Sequence, residues 1–207
     1  MTTTVGVRSF VAVTLPPSVQ ARVLTAATSL APALPQGAVR WSRKVENLHV
    51  TLKFLGNVQA ERLEQLGQTL VQRLQAVPPI AIAVRGFGAF PAPDAASIIW
   101  AGIDDPQQGL ASVAAIVEAV AASFGFVAED RVFRGHVTVG RTREREVVDA
   151  RAALASWSDH TFGEVAVGEV CIYESQLGRE GSTYVLRCRA PLGERAPAPR
   201  EDQARTQ

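Results

Sequence analysis

Two stretches decide the reading of this chain: "ENLHVTLKFLG", residues 46–56, and "FRGHVTVGRTR", residues 133–143. There are only three histidines in 207 residues, yet His49 and His136 each open the same tetrapeptide, His-Val-Thr followed by an aliphatic residue. With thirteen threonines in the chain, two such coincidences among three histidines arise by chance about once in a hundred trials. β-branched and aliphatic residues dominate both motifs, so each reads as a strand. Alternation along a strand puts His49 and Thr51 on one face, opposite Val50 and Leu52; His136 and Thr138 oppose Val137 and Val139 in the same way. The aliphatic pairs would anchor each strand in a core while imidazole and hydroxyl look into a common cleft. Histidine titrates near neutral pH unaided, so two imidazoles converging on one bound group suit acid–base chemistry. The alternative is a pair of histidines satisfied by neighbouring hydroxyls inside a sheet. A histidine metal site is disfavoured, because no cysteine or carboxylate stands at ligand spacing.

Charge around the motifs points to an anionic ligand. Arg40, Arg43, Lys44 and Lys53 surround the first; Arg131, Arg134, Arg141, Arg143 and Arg145 surround the second, against Asp130 and Glu144. Lys53 shares the strand parity of His49 and is the groove candidate among them. Arg141 has the opposite parity to His136, which gives it a structural role unless a bulge re-aims it. Overall the chain is nearly neutral, at +1, and a protein gripping a long stretch of nucleic acid shows a clear basic excess. The arginine-rich balance, 19 of 21 basic residues, reads as composition bias. Phe10 and Trp41 are candidates for stacking on a base, with core burial as the competing reading.

Outward from the motifs, the chain alternates strands and helices. "RSFVAVTL" (8–15) is a strand stopped by Pro16-Pro17, and residues 17–31 form a helix with Ser18 as candidate N-cap. The strand at 48–55 should end at Gly56. Over 59–77, Leu63, Leu66, Leu70, Leu74 and Val77 recur at helical spacing, so this helix should lay its stripe on a sheet. Strands follow near 80–90 and 97–103, then a helix over 106–126, extended pieces "RVF" and "HVTVGR", a helix over 146–158, and strands near 163–175 and 182–189. The motif histidines are 87 residues apart and each half repeats the same grammar, which suggests an old duplication. The expected fold is α+β: two pseudo-symmetric lobes, each a mainly antiparallel sheet with helices outside, around a central groove. Residues 1–190 form one domain with its lobes interleaved, and 191–207, poor in large apolar side chains, a disordered tail. Cys171 and Cys188 read as buried reduced thiols. No signal peptide and no membrane-length apolar segment is present, so the expectation is a cytoplasmic monomer that does not engage a membrane. His160, in "SWSDHTFG", reads as a surface residue in a turn.

In the segments "RSFVAVTLP", "VRWSRKVENLHVTLKFLGNV", "GFGAFP…IIWAGI", "FRGHVTVGRTR" and "CIYESQLGREGSTYVL" the chain resembles the two-histidine (2H) phosphoesterase superfamily, nearly end to end. Within it the resemblance is to the RNA 2′,3′-cyclic phosphodiesterases of the ThpR/LigT-like branch, formerly called 2′–5′ RNA ligases. The resemblance implies hydrolysis of a 2′,3′-cyclic phosphate at an RNA 3′ end to a 2′-phosphomonoester, without metal or other cofactor. It implies His49 as general acid and His136 as general base, with Thr51 and Thr138, and by its parity Lys53, binding the phosphoryl group. Some relatives also join RNA halves through a 2′–5′ linkage. Two departures stand out: relatives often carry proline where this chain has Gly135, and many have an arginine in the loop that here reads "PAPDAASIIW". A small cyclic nucleotide or a 2′–5′ oligonucleotide is the alternative substrate, and RNA-end binding without turnover the non-enzymatic alternative.

Overall fold

Val50 and Val137 are fully buried while His49, Thr51, His136 and Thr138 are half-buried. The alternation read from the motifs is therefore realised in both strands. The computed structural model describes residues 6–143, 146–178 and 181–193. In chain order its elements are β1 (Val7–Thr14), α1 (Pro17–Leu30), β2 (Val39–Trp41), β3 (His49–Val58), α2 (Ala60–Leu74), β4 (Ile80–Phe90), β5 (Ile98–Asp104), α3 (Gly109–Ser123), β6 (His136–Thr142), α4 (Arg151–Ala155), β7 (Thr161–Val167), β8 (Glu169–Gly178) and β9 (Gly181–Pro191).

All strand pairs are antiparallel, in the order β7-β4-β5-β6-β3-β1-β8-β9, with the short β2 also paired to β6. The fold is the expected mixed α+β architecture, but the two lobes share one curled sheet. They are joined at a single bridge, Val50↔Val137. On one side lie β3, β1, β8 and β9; on the other lie β6, β5, β4 and β7. Each half thus presents its motif histidine on the innermost strand. The halves are not successive in sequence: β4 and β5 from the first part of the chain join the His136 half, and β8 and β9 return to the His49 half. Helix α1 packs on β6 and β7, α2 on β9 and α3, and α3 on β3 and β4.

Several boundaries differ from the sequence reading. Pro16, not Ser18, precedes the first turn of α1, and its carbonyl accepts from the Val19 and Gln20 amides. β3 runs through Gly56 to Val58, because Gly56 takes φ +69° and lets the strand bend and resume its pairing with β1. The stretch 163–175 is two strands that part at Gly168 to opposite halves of the sheet. The helix expected over 146–158 shrinks to α4, with Val148 bridging Ala96. "RVF" forms no strand. The leucine stripe of α2 is buried as expected, from Leu63 to Leu74, with Val77 beyond the helix end and half-buried. Leu192 is buried and Gly193 donates to the Val77 carbonyl at 2.8 Å, so packing continues to 193. The remainder of the expected tail, 194–207, lies outside the described residues.

Candidate active site

The bridge between β3 and β6 fixes the arrangement of the motifs. In an antiparallel pair, one step either way from Val50↔Val137 sets His49 towards Thr138 and Thr51 towards His136. The two imidazoles therefore lie on one face of neighbouring strands, diagonally across the seam between the halves. Each is held in the same manner. His49 Nδ1 is 2.7 Å from the Asn47 carbonyl and His136 Nδ1 is 2.7 Å from the Arg134 carbonyl. A carbonyl only accepts, so Nδ1 carries the proton in both rings and Nε2 is left for chemistry. Thr51 Oγ1 stands 3.1 Å from His49 Nε2.

Aromatic rings form the walls. Phe10 stacks on His49 at 4.8 Å between centroids, Tyr184 meets the same imidazole edge-on at 5.2 Å, and Phe90 meets His136 edge-on at 5.1 Å. Burial pushes the His49 pKa down from 6.5 to about 4; the Asn47 carbonyl opposes this, and the charge of His136 adds to it. His136 is also pushed down, chiefly by burial and further by the Arg141 guanidinium, with the Arg134 carbonyl opposing. Without an anion in the groove, both rings are neutral at pH 7.

A matched pair of bulges decides what else enters the groove. Pairing of β1 with β3 steps from Ala12↔Thr51 to Val11↔Lys53, skipping Leu52; pairing of β5 with β6 steps from Trp100↔Thr138 to Ile99↔Gly140, skipping Val139. Each bulge falls three residues after its histidine and reverses the parity beyond it. Lys53 is consequently turned away from the groove, correcting its assignment as a phosphoryl-binding residue. It is 7% exposed, and its Nζ donates to Glu118 Oε1 at 2.8 Å and to the Val127 carbonyl at 2.7 Å. Phe54 takes the place expected for Lys53: it is 64% exposed, with its ring 6.4 Å from that of Phe10. Arg141 is re-aimed likewise, and its charge acts on both His136 and Tyr184. Alternation alone missed both residues, and nothing in the sequence marks either bulge. Phe10 is buried beneath His49 and offers no free face to a base, while Trp41 packs half-buried against the core.

Beside His49 opens a cleft of about 300 Å³, lined by Thr14, Gln20, Lys44, Asn47, Tyr173 and Tyr184 among others. A larger hollow of about 510 Å³, between the end of α1 and β2, has no titratable side chain in its wall and no contact with either motif. His160 is exposed, packed on Trp157 at the outer strand β7, away from the groove. Both cysteines are free thiols; Cys171 is buried, which pushes its pKa up to about 11, and Cys188 is half-buried. Glu144 and Arg145 lie outside the described residues.

Comparison with known families then gives a direct match. The family described as "LigT like Phosphoesterase" matches residues 13–100 and again 102–184, one match for each motif histidine. The chain belongs to the LigT-like phosphoesterase family. A protein of Archaeoglobus fulgidus named RNA 2′,3′-cyclic phosphodiesterase is 32% identical over 179 residues, 86% of this chain and 96% of that protein. One of the same name from Aeropyrum pernix is 32% identical over 141 residues, 67% of this chain and 78% of its own length. Among solved structures, Escherichia coli LigT complexed with 3′-AMP superposes with a TM-score of 0.70 at 26% identity, covering 90% of this chain and 98% of that one. This LigT-like chain thus shares its fold with that structure across almost its whole length. The double match also supports the duplication read from the paired motifs. No helix among the described residues is long and apolar enough to cross a membrane.

Proposed function

We propose that this protein hydrolyses the 2′,3′-cyclic phosphate at an RNA 3′ end to a 2′-phosphomonoester, using His49 and His136 as an acid–base pair. The observation that carries the reading is the matched presentation of the two imidazoles: Nδ1 of each is tied to the carbonyl two residues upstream, which turns Nε2 of each to the same face of the seam, that of His49 beside the Thr51 hydroxyl. The names of the relatives from Archaeoglobus fulgidus and Aeropyrum pernix support the substrate class.

In this reading a water attacks phosphorus from the His136 side and gives its proton to His136 Nε2. The P–O3′ bond breaks, and His49 Nε2 delivers a proton to the departing 3′ oxygen. Thr51 and Thr138 hold the non-bridging oxygens. At pH 7 a histidine of pKa about 4 is protonated in only about one molecule in a thousand. The phosphodiester anion between the rings raises that pKa, so His49 acquires its proton together with the substrate. Ligation is the same ring opening with an RNA 5′-hydroxyl attacking phosphorus in place of water: the P–O3′ bond breaks, the 3′ oxygen is protonated and a 2′–5′ linkage remains. Neither step draws on a metal or a second subunit, and we include a cytoplasmic monomer in the proposal.

The cleft beside His49, at about 300 Å³, is at the lower limit of ordinary ligand pockets and keeps a small cyclic nucleotide in view as substrate. The test is conversion of a cyclic-phosphate oligonucleotide to a 2′-phosphorylated product in EDTA, beside the corresponding mononucleotide. Turnover of the oligonucleotide in chelator supports the proposal. Binding without product would reject an enzyme, and turnover of the mononucleotide alone would reassign the substrate.

A further inference from the structure

Lys53 is a buried charge that the groove does not use. Its Nζ takes the Val127 carbonyl at 2.7 Å and Glu118 Oε1 at 2.8 Å, while the same Glu118 oxygen accepts the Glu129 amide at 3.1 Å. One ion pair behind the sheet thus grips the backbone at 127 and 129. Upstream, Arg62 of α2 donates to the Phe124 carbonyl and lies over the Phe126 ring at 5.0 Å. Downstream, Phe133 packs against the core and the Arg134 carbonyl takes His136 Nδ1. The stretch from Phe124 to Gly135 has no strand or helix, yet it is tied at both ends and in the middle.

Taking an ammonium out of water is costly unless it is fully paired, and a surface loop needs no such clasp to close. What the clasp secures is the segment beyond it. Arg131, Val132 and Arg134 are exposed, in the five residues immediately before His136. Among the described residues neither arginine forms an ion pair. The acidic Glu129 and Asp130 lie on the clasp side, so the loop is polarised, with its cations nearest the histidine. Exposed guanidinium groups suit phosphate, and a loop ordered beforehand loses less entropy when it binds.

We propose that the Lys53–Glu118 clasp holds residues 131–134 as an arm for backbone phosphates of the RNA whose end lies between His49 and His136. This rests on the functional reading above, and Lys53 is here a positioning residue. The experiment compares a cyclic-phosphate mononucleotide with an RNA of about ten nucleotides carrying the same end, at several salt concentrations. The double variant Arg131→Ala/Arg134→Ala should raise KM for the RNA roughly tenfold and flatten its salt dependence by about one unit of slope per arginine, and Arg131→Ala alone should take about half of that slope and leave the mononucleotide unaffected. Lys53→Met should reproduce part of that KM rise, spare kcat on the mononucleotide, and add little when combined with the arginine pair. If Lys53→Met does not fold, Glu118→Ala releases the Glu129 amide and the counter-ion of Lys53, whose Nζ keeps the Val127 carbonyl. It should speed amide exchange at Glu129 and raise KM for the RNA alone. Unchanged KM and salt slope in the arginine pair would overturn the arm. A clasp variant that impairs both substrates equally would overturn the positioning role. A native protein that turns over neither substrate would instead reject the functional reading.

Discussion

The lowered pKa of His49 has a consequence for stability that can be measured. In the unfolded chain this imidazole takes up its proton near pH 6.5; in the folded protein it resists until about pH 4. Between those values the unfolded state binds more protons, so stability falls as pH falls through that window and is unaffected by His49 above it. The full shift of about 2.5 units corresponds to a ceiling of about 3.4 kcal/mol, of which about 2.4 kcal/mol is lost between about pH 7 and about pH 4.5. The perturbation is His49→Gln, which removes the titration and keeps a polar side chain of similar reach. Urea unfolding of both proteins at the two pH values cancels the contribution of every other titrating group. The native protein should lose about 2.4 kcal/mol more than the variant on acidification. Parallel losses would mean that His49 is solvated in the free groove, and the argument that substrate brings the acid its proton would fall.

Replacing His49 or His136 with alanine should each lower kcat by roughly 10²–10⁴-fold, the double variant costing less than the product, as steady-state rates on the RNA substrate would reveal. With a nitrophenolate leaving group, which needs no proton, His49→Ala should regain much of its rate while His136→Ala stays slow; the opposite rescue would exchange the two roles. The rate should follow a bell near neutral pH, because one ring must be charged and the other neutral, and EDTA should leave it intact. Gly67→Ala tests packing at a distance from the chemistry: a Cβ there would lie 2.8 Å from Cys188 Sγ. It should destabilise by about 1–2 kcal/mol in the native background, and by less when Cys188 is alanine, because Sγ is gone and only the Cβ of residue 188, 3.2 Å from the new methyl, must give. Denaturant midpoints of the four proteins give the answer.

The sequence by itself determined which side chains belong to the reacting face. Alternation is a local property of an extended backbone, so once "HVTL" and "HVTV" were read as strands, the burial of Val50 and Val137 and the sharing of a face by His49 with Thr51, and His136 with Thr138, followed. The leucine stripe of α2 was legible for the same reason, since helical periodicity is carried by the segment itself. Only the tertiary structure decided what happens three residues beyond each histidine. A bulge is a mismatch between two paired strands, set by the partner's register and by what packs behind, and no single segment encodes it. That mismatch sends Lys53 to Glu118 and gives Phe54 and Arg141 the groove. The division of 163–175 at Gly168 is likewise non-local, because β7 and β8 find their partners on opposite halves of the sheet. So is the bridge Val50↔Val137, which brings two motifs 87 residues apart in sequence to a single seam.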